Sequence, residues 1–167
     1  IEDFFKNHGF YILPLSSFLK DCSLPKGFYP EKKILPSFQK YILDSAEVGI
    51  NLLNTISRFD VGQSAVVSSK LVYAIEGQEG TDCMIDRAGS LSNKNKLIAH
   101  PGPVLIKIPK INQNINLDPP VVGFETVRKC IENNFSSLVV SSNGTIIFEL
   151  KKIMNLINAK NFVIYVV

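Results

Sequence analysis

The 167-residue sequence predicts an α/β domain in which a mixed sheet carries packed helices. Three observations predict it. Two short apolar runs, 64–69 and 71–75, are broken around Lys70 and read as a β-hairpin. A long uninterrupted stretch, 37–59, repeats apolar residues at helical spacing through Phe38, Ile42, Gly49, Leu53 and Ile56, with Ala46 and Leu52 widening the stripe. The second half then alternates strand-like and helix-like segments, which gives helix-then-strand units beside the hairpin.

Taken in order, residues 1–7 read as the end of a helix, with Gly9 as its C-cap. Residues 10–13 are a short apolar strand, and 18–24 a helical turn. Pro25, Gly27, Pro30 and Pro36 punctuate a basic, polar linker containing Lys32 and Lys33, a composition that marks domain boundaries. Ser37 is the expected N-cap of the long helix. After the hairpin comes an acidic turn and a short helix over 81–91, with Met84, Ile85 and Ala88 on one side, then polar loop over 92–96. Residues 104–108 form a strand that delivers Lys107 and Lys110 to its far end. An Asn-rich loop spans 112–120, and Gly123 opens a helix to about 133 with Val127, Cys130 and Ile131 facing inward. Residues 138–141 are a strand, Asn143-Gly144 a hairpin turn, and 145–148 the strand returning beside it. A helix over 150–157 and a strand over 162–167 close the chain.

The bulk properties exclude several functions. A net charge of +3 is too small to argue for nucleic acid as a partner, and no apolar run reaches bilayer-spanning length. Cys22, Cys83 and Cys130 are far apart and odd in number, so they read as reduced thiols of a cytoplasmic protein. Structural zinc is not expected, because neither His8 nor His100 sits at ligand spacing from a cysteine. The chain starts without an initiator Met and without a signal-peptide pattern, which reads as a fragment or a processed piece.

The chemistry concentrates at 74–89, AIEGQEGTDCMIDRAG. Acidic residues Glu76, Glu79, Asp82 and Asp86 surround a Gly-Thr pair between a strand-like and a helix-like run. Mg²⁺ takes carboxylate oxygens and keeps several waters, so a few acids on a turn suffice to hold it. Backbone N–H groups at a helix start attract anions, which makes Gly80 and Thr81 natural phosphate contacts. Asp82 is the first candidate metal ligand, against the plain alternative of helix capping. Glu79 is a second, against a solvated strand-end carboxylate. Asp118, on backbone stiffened by Pro119, is a metal or proton-accepting candidate, against an Asx turn. Lys107 and Lys110 could neutralise charge on phosphoryl oxygens, and Arg87 either pairs with an acid of the turn or contacts a phosphate. Gln63 is read as organising the turn before the hairpin.

These segments, in this order, carry a resemblance. Val61-Gly62-Gln63, AIEGQEGTD with Arg87-Ala88-Gly89, VLIKIPK, and then Gln113, Asp118, Pro120 and Gly123 resemble the C-terminal domain of the LpxI family, the UDP-2,3-diacylglucosamine pyrophosphatases of lipid A biosynthesis. Gly9-Phe10 and Gly27 fit the end of that family's N-terminal domain. The resemblance implies that residues 1–35 are the end of a Rossmann-like domain plus linker, and residues 36–167 the catalytic domain. It implies Mg²⁺-dependent hydrolysis of the substrate pyrophosphate to UMP and 2,3-diacylglucosamine 1-phosphate (lipid X). It implies catalytic roles for Asp118, Asp82 and Lys107, substrate contacts from Gly80, Thr81, Gln113, Asn114, Lys110 and Arg87, and metal ligation by Asp82, Glu79 and Asp118. A cytoplasmic protein with peripheral contact to the inner membrane, and a homodimer, complete the expectation.

One stretch departs from the family's usual G-Q-D-x-R-x-D-x-P. Here it reads Asn112-Gln113-Asn114-Ile115-Asn116-Leu117-Asp118-Pro119-Pro120. Asn114 offers an oxygen without charge, and Asn116 lacks the charged fork that clamps a phosphate. The alternative expectation is a weakened or inactive relative that binds the lipid or nucleotide without cleaving it.

Overall fold

Strands buried on both faces read as nearly continuous apolar runs rather than alternating ones, and VLIK and SLVV are such runs. The computed structural model, which describes residues 2–13, 15, 18–19, 21–31, 34–94 and 101–167, places them at the centre of a six-stranded sheet. The strands are β1 Gly27–Tyr29, β2 Ser64–Ser68, β3 Leu71–Ile75, β4 Val104–Lys107, β5 Val121–Val122, β6 Ser137–Val140, β7 Ile146–Ile147 and β8 Val163–Val166. The helices are α1 Glu2–Asn7, α2 Pro36–Ile56, α3 Gly80–Lys94, α4 Phe124–Glu132 and α5 Leu150–Ala159, with a 3₁₀ turn at Ser57–Phe59.

The main sheet runs β1-β8-β6-β4-β2-β3, and β5 and β7 form a separate parallel pair. Strands β4, β6 and β8 are parallel, with Lys107 in register with Val140. β2 is antiparallel to β4 and to β3, with a bulge between Val66 and Val67. Side chains alternate across the pleat. One face carries Val66, Leu105, Leu138 and Ile164 into a core with Met84 and Ile85 of α3, Val127 and Cys130 of α4, and Ile153 and Ile157 of α5. The other face carries Ala65, Val67, Ile106 and Val139 against Ile42, Ala46 and Leu53 of α2. The mixed sheet with packed helices expected from the sequence is the observed fold.

Four local expectations need correction. No strand forms over 10–13, where Phe10, Tyr11 and Leu13 are all more than half exposed; β-propensity without a partner strand yields no ladder. The stretch read as linker contributes β1, antiparallel to β8, with Phe28 stacked on its register partner Tyr165 at 4.3 Å between ring centroids. The long helix begins at Pro36, with Leu35 rather than Ser37 at the N-cap position; Pro lacks an N–H and has a fixed φ, both suited to a first turn. The Asn143-Gly144 turn is present, with Gly144 at φ +92°, yet β7 does not return beside β6. Both edges of β6 are already taken by β4 and β8, so β7 pairs with β5 instead.

The Glu2–Asn7 helix and its Gly9 cap are observed, the Gly9 and Phe10 N–H groups closing on the Lys6 and Phe5 carbonyls. α3 extends to Lys94, past the expected end near 91. Lys32, Lys33, His100 and part of the expected loop over 92–96 lie outside the described residues.

Candidate functional site

The carboxyl ends of parallel strands are where an open α/β sheet presents ligands, and the expected residues gather there. Lys107 ends β4 on the face covered by α3. Its Nζ donates to Thr81 Oγ1 at 2.8 Å, and the Thr81 hydroxyl donates to Glu76 Oε1 at 2.7 Å. The other Glu76 oxygen accepts the Gln63 backbone N–H at 3.1 Å. Lys107 and Glu76 are each only 8% exposed. Gly62 makes the approach possible, because a Cβ there would lie 2.5 Å from the Glu76 backbone oxygen and Cβ. Gly80, at φ +78°, turns the chain into α3, so the first turn of a 15-residue helix sits over Lys107.

Asp82 lies in that first turn, exposed. No hydrogen bond reaches its side chain from the described residues, while Lys107 and Lys129 act on it electrostatically. Lys129, on α4, donates to the Asp82 backbone oxygen at 3.3 Å and to Asp86 Oδ2 at 2.7 Å. Burial pushes the Lys107 ammonium below its ordinary value, against the opposing pull of Glu76 and Asp82. The unfolded chain therefore binds more protons than the folded one just below the ordinary lysine value of about 10.4, and stability rises with pH across that window. The penalty is complete below the folded pKa and gone above the unfolded one. Measured by urea unfolding, wild type is expected to gain on Lys107→Met as pH rises through this window. A difference independent of pH would mean that the amine is not desolvated.

A second group sits on the loop after β4. Gln113 braces it: its Oε1 accepts the Lys110 N–H at 2.9 Å, and its Nε2 donates to the Asp118 backbone oxygen at 2.6 Å and to Asp118 Oδ2 at 3.2 Å. Lys110 Nζ donates to Asp60 Oδ1 at 2.5 Å, which holds the exposed Asp60 carboxyl below its usual range. Asn114 Oδ1 accepts the Asn116 N–H at 3.1 Å. Ser57, Asp60, Lys110, Asn112, Gln113 and Asp118 line a cavity of about 200 Å³.

Thus Lys107, Thr81 and Gly80 are brought together with Asp82 beside them, and Lys110, Gln113 and Asp118 form a neighbouring group on one loop. Glu79 turns away to Arg87, 2.5 Å from its Nη2, and to the Gly77 N–H at 3.0 Å. Arg87 also donates to the Ile75 carbonyl at 3.1 Å, the ion-pair role weighed for it. Asp118 lines the cavity beside Lys110 and Asp82 does not, and no cluster of three or more His, Cys, Asp or Glu placed for a metal occurs among the described residues. Sequence reasoning missed Asp60, Ser57 and Lys129. Asp60 meets Lys110 fifty residues away, and no local pattern announces that contact.

The family description "LpxI C-terminal domain" matches residues 33–165. The chain is also similar to the UDP-2,3-diacylglucosamine pyrophosphatase LpxI of Caulobacter vibrioides, with 27% identity over 156 residues that cover 92% of this chain and 54% of that protein. The chain therefore spans about half the length of this relative. With the domain match covering most of the chain, the protein belongs to the LpxI family.

Proposed function

We propose that this chain is the catalytic part of a UDP-2,3-diacylglucosamine pyrophosphatase, hydrolysing the pyrophosphate with Mg²⁺ to UMP and 2,3-diacylglucosamine 1-phosphate. The observation that carries the reading is the buried Lys107 ammonium held on Thr81 at the start of α3. It supplies positive charge where the helix N-terminus already favours a phosphate. Only one of its three donors is committed among the described residues, which leaves others for phosphoryl oxygens.

The donor set fits Mg²⁺ as far as this chemistry requires, since the ion is commonly bound through one or two carboxylates together with substrate phosphates and waters. Asp82, with no hydrogen bond to its carboxylate from the described residues, would hold it. When bound, the ion neutralises charge on the pyrophosphate. Glu79 would serve by fixing the turn through Gly77 and Arg87 rather than by offering a free oxygen. Asp118, positioned by Gln113, is the acceptor for a proton from attacking water. No helix among the described residues is long and apolar enough to cross a membrane. Cytoplasmic location, peripheral contact with the inner membrane and a homodimer belong to the same proposal.

The test is UMP release from UDP-2,3-diacylglucosamine by the intact protein, with and without Mg²⁺. Asp82→Asn and Asp118→Ala are each expected to slow release by about 10²-fold or more. Near-normal rates for both would remove the site assignment.

A second reading is binding without cleavage. It is favoured by Asn114, whose side-chain carbonyl closes a local turn onto Asn116. On that reading the unaltered protein turns over slowly, and Asn114→Asp with Asn116→Arg raises the rate sharply. Brisk turnover by the unaltered protein excludes it.

A further inference from the structure

Glu76 is a buried acid whose oxygens are turned into the protein. One accepts the Gln63 backbone N–H at 3.1 Å, and the other accepts the Thr81 hydroxyl at 2.7 Å. Its backbone is held as well. The Glu76 N–H donates to the Ser64 carbonyl at 2.9 Å, and the Glu76 carbonyl accepts the Gly62 N–H at 3.1 Å. Ser64 is the register partner of Lys107 across β2 and β4. The segment that fixes Glu76 therefore lies directly beside the strand that carries the ammonium.

The hydrogen-bond directions follow from the chemistry of the two ends. An ammonium only donates, and an ionised carboxylate only accepts. Thr81 Oγ1 stands between them, 2.8 Å from Lys107 Nζ and 2.7 Å from Glu76 Oε1. Its one proton points at Glu76, and that leaves a lone pair for Lys107. A threonine hydroxyl without such a neighbour rotates to suit its surroundings. Here both of its bonds are charge-assisted, which makes the setting strong. With one ammonium proton held on Thr81, the others take set directions around the Cε–Nζ bond.

We propose that Glu76 is a positioning residue for the pyrophosphate reaction: it orients the Thr81 hydroxyl, and through it the Lys107 ammonium, for the phosphoryl oxygens. The proposal rests on the hydrolase reading above. Glu76→Gln keeps the shape and removes one of the two acceptors. With its oxygen on the Gln63 N–H, the new NH2 competes with Lys107 for Thr81 Oγ1. With the amide reversed, the NH2 faces the Gln63 N–H, donor against donor.

The test is steady-state UMP release from UDP-2,3-diacylglucosamine by the intact protein as wild type, Glu76→Gln, Thr81→Val and the double variant. Glu76→Gln is expected to lower kcat about 10-fold, the effect of one buried hydrogen bond set wrongly, and to change KM by no more than about 3-fold. Thr81→Val should lower kcat at least as much. Adding Glu76→Gln to it should lower kcat no further, because the hydroxyl through which Glu76 acts is gone. Thr81→Ser keeps the hydroxyl and should keep the dependence on Glu76. Should Glu76→Gln fail to fold, Glu76→Asp keeps the charge, shortens the reach to Thr81 and takes the same readout. Losses that add in the double variant, or an undiminished kcat in Glu76→Gln, overturn the proposal and leave the hydrolase reading standing. A wild type that releases no UMP overturns that reading and this proposal together.

Discussion

Lys107→Met in the intact protein is expected to lower UMP release by about 10²–10³-fold, the loss found when one preorganised donor to a developing oxyanion is removed. Methionine keeps most of the stem that packs beneath α3 and deletes only the charged head. The ammonium is desolvated, so its attraction for a phosphoryl oxygen is stronger than that of a surface lysine. Its position is fixed by Thr81, so little reorganisation is needed when charge builds.

The same substitution affects stability through Glu76. That carboxylate keeps the Thr81 hydroxyl and the Gln63 N–H but loses the cation that acts on it across Thr81, and a buried charge left with less compensation is destabilising. Adding Glu76→Gln removes the stranded charge. The double variant should recover most of the stability and none of the rate. If it is both stable and nearly as active as wild type, Lys107 serves only the fold. Initial rates of UMP formation and urea midpoints on the two variants decide between these outcomes.

The largest effect on stability is expected where α2 crosses β4. Ile106 is fully buried, and a Cβ added at Gly49 would lie 2.7 Å from its Cγ1 and 2.8 Å from its Cδ1. Helix and sheet approach this closely because one partner has no side chain. Ile106→Ala should cost about 2–5 kcal/mol through lost transfer energy and the cavity left behind. Gly49→Ala should cost about 1–3 kcal/mol through overpacking. Ile106→Ala removes the two atoms that the new methyl would strike, so the double variant should be less destabilised than the sum of the singles by about 1 kcal/mol. Strict additivity in urea unfolding would show that helix and strand shift apart freely. Ile106 precedes Lys107 on β4, so the singles should also slow UMP release through misplacement of the ammonium.

Particular residues show why part of the site was legible. Gly80, Thr81 and Asp82 stand between an apolar run and a helical stripe, and local periodicity alone places them at a helix start. Lys107 ends an apolar run, so its place at a strand end follows from the same reasoning. Glu79 was not separable from Asp82 by sequence, since both are acids on one turn. Only the placement of Arg87 one face along α3 shows that Glu79 is the paired acid and that the Asp82 carboxylate has no hydrogen-bond partner among the described residues. The Asn143-Gly144 turn was legible, and its consequence was not: turn chemistry fixes where a chain bends, whereas the neighbours of β6 are fixed by which apolar faces can be covered together.

By itself the sequence determined the helices and strands with strong periodicity, the α/β class and the candidate chemistry at the start of α3, because these depend on residues within a few positions of one another. The tertiary structure alone decided that β1 joins the sheet, that β7 pairs with β5, and that Lys107, Thr81 and Glu76 form one hydrogen-bonded chain. Those contacts join segments distant in the chain, and they form only where burial of both sheet faces brings their ends to a common edge.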